Sequence, residues 1–227
     1  MGKFGLGYGS ECHLLRYLGR HRRVLDLRVL EAVGHGQSVD WLDFDFAPQA
    51  TPMQDAELVG LDFLDPLPKL RAAWAQFWPQ TGSAMNWDGV AWLRGEGPPE
   101  LLLVEAKANT GEIESSTGAK GAGRDLIGRS LGRVGQELGA PAGADWLTDY
   151  YQAANRIAVL WFLLEHGVPA RLLNVYFVGD KRGSGRSCPM TPTEWKPALD
   201  AQSKHLGLPP GHPLESRMHT LYLPVAG

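Results

Sequence analysis

Asp88, Glu105 and Lys107 are the residues of this chain whose types and spacing point most directly to chemistry. Glu105 and Lys107 end the run Leu101-Leu102-Leu103-Val104-Glu105-Ala106-Lys107. Four consecutive apolar residues mark a buried strand, and charges at its end are costly unless they meet a partner or a metal. Side chains alternate along a strand, so Glu105 and Lys107 share a face with Leu101 and Leu103. Asp88 lies on a second strand, and a connection over residues 94–99 sets it opposite Glu105. A slip of one residue would send it to the other face. Two carboxylates about 5 Å apart across a strand pair form a hard-oxygen site for Mg²⁺ or Mn²⁺. The Ala106 carbonyl is placed to add another oxygen. Lys107 beside the metal could orient or help deprotonate a water, or stabilise developing negative charge. The chemistry so assembled is metal-assisted phosphodiester hydrolysis.

Asp88 followed by Glu105-Ala106-Lys107 on a strand resembles the active-site motif of the PD-(D/E)xK phosphodiesterase superfamily, the restriction-endonuclease-like nucleases. Trp87 stands where the motif's name has Pro. The resemblance implies that Asp88 and Glu105 bind the metal and that Lys107 assists the nucleophilic water. It also implies a first-helix Glu that completes the acidic site. Glu11 is the candidate, because it stands at i, i+3, i+4 and i+7 with Leu14, Leu15 and Leu18. A Gln-bearing helix follows the ExK strand in several of these nucleases and positions DNA or catalytic groups. Gln152 and Arg156 match it at i, i+4 on a stripe continuing into Val159 and Leu163. The nucleic-acid contacts implied are Arg156, Lys120 and Arg124, the catalytic set Asp88, Glu105, Lys107, Glu11 and Gln152, and the metal ligands Asp88, Glu105, Ala106 and Glu11.

The elements that must position these groups can be read from periodicity and punctuation. Ser10 caps a first helix that frays near Gly19 or runs on through the arginines. Trp41 to Phe46 alternates as a strand, and Pro66 and Pro68 split residues 53–78 into two short helices. Trp87–Leu93 and Glu100–Ala108 form a hairpin through the Gly- and Pro-rich connection. Residues 109–123 read as a mobile loop. Helices follow over Asp125–Leu138 and Trp146–His166, then a buried strand over Arg171–Val178. A helix from Thr193 to His205 and a strand from His219 to Val225 complete the chain. The fold class expected is α/β, a central mixed sheet flanked by helices with a restriction-endonuclease-like core, all in one domain.

Composition bounds the alternatives. The chain has 227 residues, 44% of them hydrophobic and 21% charged, within the globular range. No run reaches the roughly 18 apolar residues of a spanning helix, and the opening residues lack a secretory pattern, so a cytoplasmic location without membrane contact is expected. Two cysteines, Cys12 and Cys188, are too few for a disulfide framework. Net charge is −3 but segregated. Residues 40–65 hold seven acids and no Lys or Arg, among them Asp43, Asp45, Asp55, Glu57 and Asp65. Arg16, Arg20, Arg22, Arg23 and Arg28 form one basic group; Lys120, Arg124, Arg129 and Arg133 a second; Lys181, Arg182 and Arg186 a third. Such segregation leaves local basic surface for a phosphate backbone on an acidic protein. The expected partner is nucleic acid, DNA ahead of RNA, with room for a homodimer or larger complex. Two rivals stand beside the nuclease: an inactive nuclease-fold binding or accessory protein, and a structural α/β protein whose hairpin charges are salt-bridged.

Overall fold

Every residue of the strand that carries Glu105, from Leu101 to Ala106, is buried, which explains its unbroken apolar run. The computed structural model describes residues 9–42, 58–64, 68–81, 85–180 and 188–225. Two helices open it, α1 (Ser10–Arg20) and α2 (Arg22–Val33), followed by β1 (Ser38–Trp41). Next come β2 (Leu58–Val59), α3 (Pro68–Phe77), β3 (Asn86–Trp87), β4 (Gly89–Arg94) and β5 (Glu100–Lys107). The second half contains α4 (Gly121–Glu137), α5 (Tyr151–Glu165), β6 (Ala170–Val178), α6 (Pro192–Leu206) and β7 (Met218–Pro224).

Five strands form a mixed sheet in the order β1-β4-β5-β6-β7. The β1–β4 and β4–β5 pairs are antiparallel, and the β5–β6 and β6–β7 pairs parallel. A two-strand ladder of β2 and β3 stands apart from it. One face of β5 (Leu101, Leu103) packs against α3, α4 and α5 through Trp74, Phe77, Leu131 and Phe162. The other face (Leu102, Val104, Ala106) packs against α1 and α2 through Leu14, Tyr17, Leu25 and Val29. The fold is therefore α/β, with a central mixed sheet flanked by helices. Among the described residues no helix is long and apolar enough to cross a membrane.

Several boundaries differ from those that periodicity predicts. The first helix ends at His21, which leaves helical geometry (φ −121°, ψ 26°), and α2 starts directly after it. The strand expected over 41–46 is instead Ser38–Trp41, and its remainder from Asp43 onward lies outside the described residues. Of the two helices expected over 53–78, Pro68 opens α3, and among the described residues before it there is a 3₁₀ turn at Asp62–Leu64. Tyr151, not Trp146, starts α5, because Asp149 has φ 54°, incompatible with a right-handed helix.

The segment expected to be a mobile loop, 109–123, is tied down. Thr110–Glu112 makes a 3₁₀ turn, Ile113 is buried, and α4 already begins at Gly121. Ser115 caps α5 from a distance. Its carbonyl accepts from the Tyr151 N–H (3.0 Å) and its hydroxyl from the Gln152 N–H (2.8 Å). Tyr150, the residue before α5, supplies no side-chain cap, so Ser115 satisfies donors that the helix start would otherwise leave unpaired.

Candidate active site

The β4–β5 register brings the chemistry-bearing residues to one end of the sheet. Leu93 pairs with Glu100 and Gly89 with Val104, so one step further Asp88 falls opposite Glu105, as the connection length predicts. The backbone of Asp88 has already left the ladder, because β3 ends at Trp87 and β4 begins at Gly89. Its side chain takes over as acceptor: Oδ2 receives the Ala106 N–H at 2.7 Å. In a strand, the carbonyl of a residue points to the same side as its N–H. The Ala106 carbonyl therefore also faces the gap that β4 vacates beside Asp88.

Glu105 is 5% exposed, and each of its oxygens has a cationic neighbour. Oε1 accepts from Lys107 Nζ, and Oε2 from Arg156 Nε at 2.7 Å. Arg156 enters from α5, buried at 3% exposure. Its Nη1 donates to Asn155 Oδ1 at 2.8 Å and its Nη2 to the Asn86 carbonyl at 2.5 Å. Its guanidinium lies 4.5 Å from the centre of the Trp87 ring. On β6, Asn174 stands beside Glu105 and Tyr176 beside Lys107, so both border the site on the same face.

The electrostatics separate the two carboxylates. Burial works to raise the pKa of Glu105, but Arg156 and then Lys107 outweigh it and hold the carboxyl below its ordinary range. Burial works to lower that of Lys107, but Glu105 and Asp88 hold its ammonium above the ordinary value. Lys107 is therefore a protonated group here, suited to donating a hydrogen bond and stabilising negative charge rather than to taking a proton. Among the described residues no cation is bonded to Asp88, although Lys107 and Arg156 act on it through space. Burial, then the charge of Glu105, push it from 3.8 to about 7.

The remaining site candidates fall in three places. Gln152 is half-buried on the same stripe of α5 as Arg156, one turn toward its N-terminus. Because α5 runs against the direction of β5, that turn carries Gln152 toward the Lys107 end. Lys120 and Arg124 are exposed, at the start of α4. Glu11 is half-buried in the first turn of α1, on the helix layer that covers the opposite face of β5. The inward side of α1 is carried by Cys12, His13, Leu14 and Tyr17, with Leu18 partly buried against the same core, while Leu15 is only half-buried. Among the described residues no three His, Cys, Asp or Glu side chains stand together as a metal-binding group, so Glu11 does not form one with Asp88 and Glu105. Arg156, expected on a phosphate backbone, is instead buried beneath Glu105. The third basic group, Lys181, Arg182 and Arg186, lies outside the described residues, as do Asp43, Asp45, Asp55, Glu57 and Asp65.

Sequence reasoning missed the Asn86 carbonyl, Asn155, Asn174 and Tyr176, none of which carries a local signal. It also missed a buried pair on the other face, His13 Nε2 with Asp180 Oδ2 at 2.8 Å. The fold and site together define an α/β protein with a carboxylate–lysine–arginine cluster at the C-terminal end of a central strand. No protein-family model, curated protein or solved structure matches the chain.

Proposed function

We propose that this protein is a divalent-metal-dependent nuclease that hydrolyses phosphodiester bonds, with the restriction-endonuclease-like core that its motif implies. The observation that carries the reading is Asp88: a carboxylate aligned with Glu105, with no bonded cation among the described residues, and held near neutrality by burial and by its neighbour's charge. A structural ion-pair network accounts for Glu105, whose two oxygens meet Lys107 and Arg156. It accounts less fully for Asp88, a half-buried acid with no ion pair among the described residues, on which burial and the charge of Glu105 outweigh the fields of Lys107 and Arg156.

The donor set fits Mg²⁺ or Mn²⁺. Mg²⁺ is typically held by one or two carboxylates, its own waters and substrate phosphate oxygens. Asp88 and Glu105 would hold the ion, with the Ala106 carbonyl facing the same gap. When bound, such an ion polarises the phosphoryl group and acidifies a water. The chain's own residues do the rest. Lys107 donates to the oxyanion that develops, or orients the attacking water, from its place beside Glu105. Gln152 lines the approach at the Lys107 end of α5. Lys120 and Arg124 supply exposed positive charge for a phosphate backbone, DNA ahead of RNA. The mixed sheet with helices on both faces is the fold class that the resemblance implies.

The test is titration of Mg²⁺ and Mn²⁺ into wild type and Asp88→Asn, with cleavage of single- and double-stranded DNA and RNA assayed on the same samples. Metal binding and cleavage present in wild type and lost in Asp88→Asn support the reading. A wild type that binds neither ion, with or without nucleic acid, and cuts nothing overturns it.

A further inference from the structure

Resting on the nuclease reading, we infer that Arg156 is the positioning residue for both carboxylates of the site. Each kind of nitrogen in its guanidinium serves a different part of the fold. Nε holds Glu105 Oε2 on β5, Nη2 holds the Asn86 carbonyl on β3, and Nη1 is held by Asn155 on its own helix. The Trp87 ring supports the flat face of the group. Arg156 thus binds Glu105 directly. It also anchors the two residues preceding Asp88, while the Ala106 N–H holds the Asp88 carboxylate from the other side.

This arrangement solves a geometric problem created by the break in the ladder. Asp88 lies where the backbone passes from the small β2–β3 ladder to the main sheet, so ladder hydrogen bonds alone do not locate it. The planar fork of Arg156 spans that junction. A lysine could reach one of these acceptors as a point charge but could not serve three directions in one plane. With Oε2 committed to Arg156, Glu105 presents its Oε1 edge toward Lys107. The position of the reactive groups is set by a residue that itself reaches no substrate, since Arg156 is 3% exposed.

The experiment compares wild type, Arg156→Lys, Asn155→Ala and the surface control Lys196→Arg on α6, each shown to be folded by circular dichroism. Mn²⁺ affinity is measured by calorimetry, and kcat and KM on DNA are measured separately. Loss of an outer-shell partner of a ligand costs about 10–100-fold, so Arg156→Lys is expected to bind Mn²⁺ about tenfold more weakly and to lose kcat with KM nearly unchanged. Asn155→Ala shows the same pattern more weakly, and it decides the matter if Arg156→Lys does not fold. Lys196→Arg matches wild type. A folded Arg156→Lys with wild-type Mn²⁺ affinity and wild-type kcat overturns the positioning role alone. A wild type that binds no Mn²⁺ with or without DNA brings down the nuclease reading and this role together, so the two failures are told apart by the wild-type titration.

Discussion

Asp88→Asn is expected to make the protein more stable at neutral and alkaline pH while abolishing the proposed metal binding and cleavage. The folded protein raises the Asp88 carboxyl from 3.8 to about 7, chiefly through burial and the charge of Glu105. A raised acid binds its proton more tightly folded than unfolded. Its contribution is therefore complete below the unfolded value and is lost as pH rises through the folded one. Each pH unit in that window is worth about 1.4 kcal/mol, so the loss between 3.8 and about 7 is at most about 4 kcal/mol. Asparagine has nothing to ionise, and its amide oxygen still accepts the Ala106 N–H. The stability gap between Asp88→Asn and wild type should thus open in favour of the variant by up to about 4 kcal/mol from about pH 4 to about pH 8. Urea denaturation of both proteins in chelator, across that range, measures it. Saturating Mg²⁺ should raise the midpoint of wild type and leave that of Asp88→Asn unchanged. If the variant is instead the less stable at about pH 8, the fold compensates the Asp88 carboxylate, and burial does not hold that group near neutrality.

If the protein is the nuclease proposed, Lys107→Ala should keep metal and nucleic-acid affinity but lose about 100-fold or more in kcat, because its ammonium would act on charge that develops only in the transition state; single-turnover cleavage checks this. Glu105→Gln strands the Arg156 guanidinium in the interior, and a loss of about 3 kcal/mol in urea denaturation is expected, the low end for a broken buried pair because the amide oxygen still accepts. At the opposite end of β5, Glu100 meets Arg171 at 2.5 Å and Arg217 at 3.0 Å. Burial works to raise its pKa, and those two guanidiniums outweigh it and lower it below 4.5. The stability contributed is present above the unfolded value and lost as pH falls through the lower folded one. Glu100→Gln should therefore cost about 1–3 kcal/mol at neutral pH and flatten the acid limb of the stability profile, which urea denaturation across that limb measures.

What was legible in the sequence is what periodicity and connection length govern. The apolar run into Glu105 required a strand buried on both faces. The Gly/Pro connection set the register that puts Asp88 across from Glu105, because a hairpin's pairing follows from its loop. The shared stripe of Gln152 and Arg156 follows from 3.6 residues per turn, and the charge on Lys107 and Glu105 marks the strand's end. The phase of α1 was only partly legible: Leu14 and Leu18 do face the core, but Leu15 fits an inward stripe as well as Tyr17 does, and only packing against Phe177 and the Pro224 carbonyl selects Tyr17. Nor was the tethering of 109–123, whose Gly, Ser and Thr look unstructured until Ser115 meets the start of α5, 37 residues away from its Gln152 partner. Most consequentially, an arginine above an apolar stripe looks the same in sequence whether it faces phosphate or a buried glutamate. Arg156 meets Glu105 across 51 residues and Asn86 across 70, and contacts at such separations leave no trace in local periodicity. The tertiary structure alone decided that this positive charge lies beneath Glu105 and that Asp88 stands across from it with no bonded cation among the described residues.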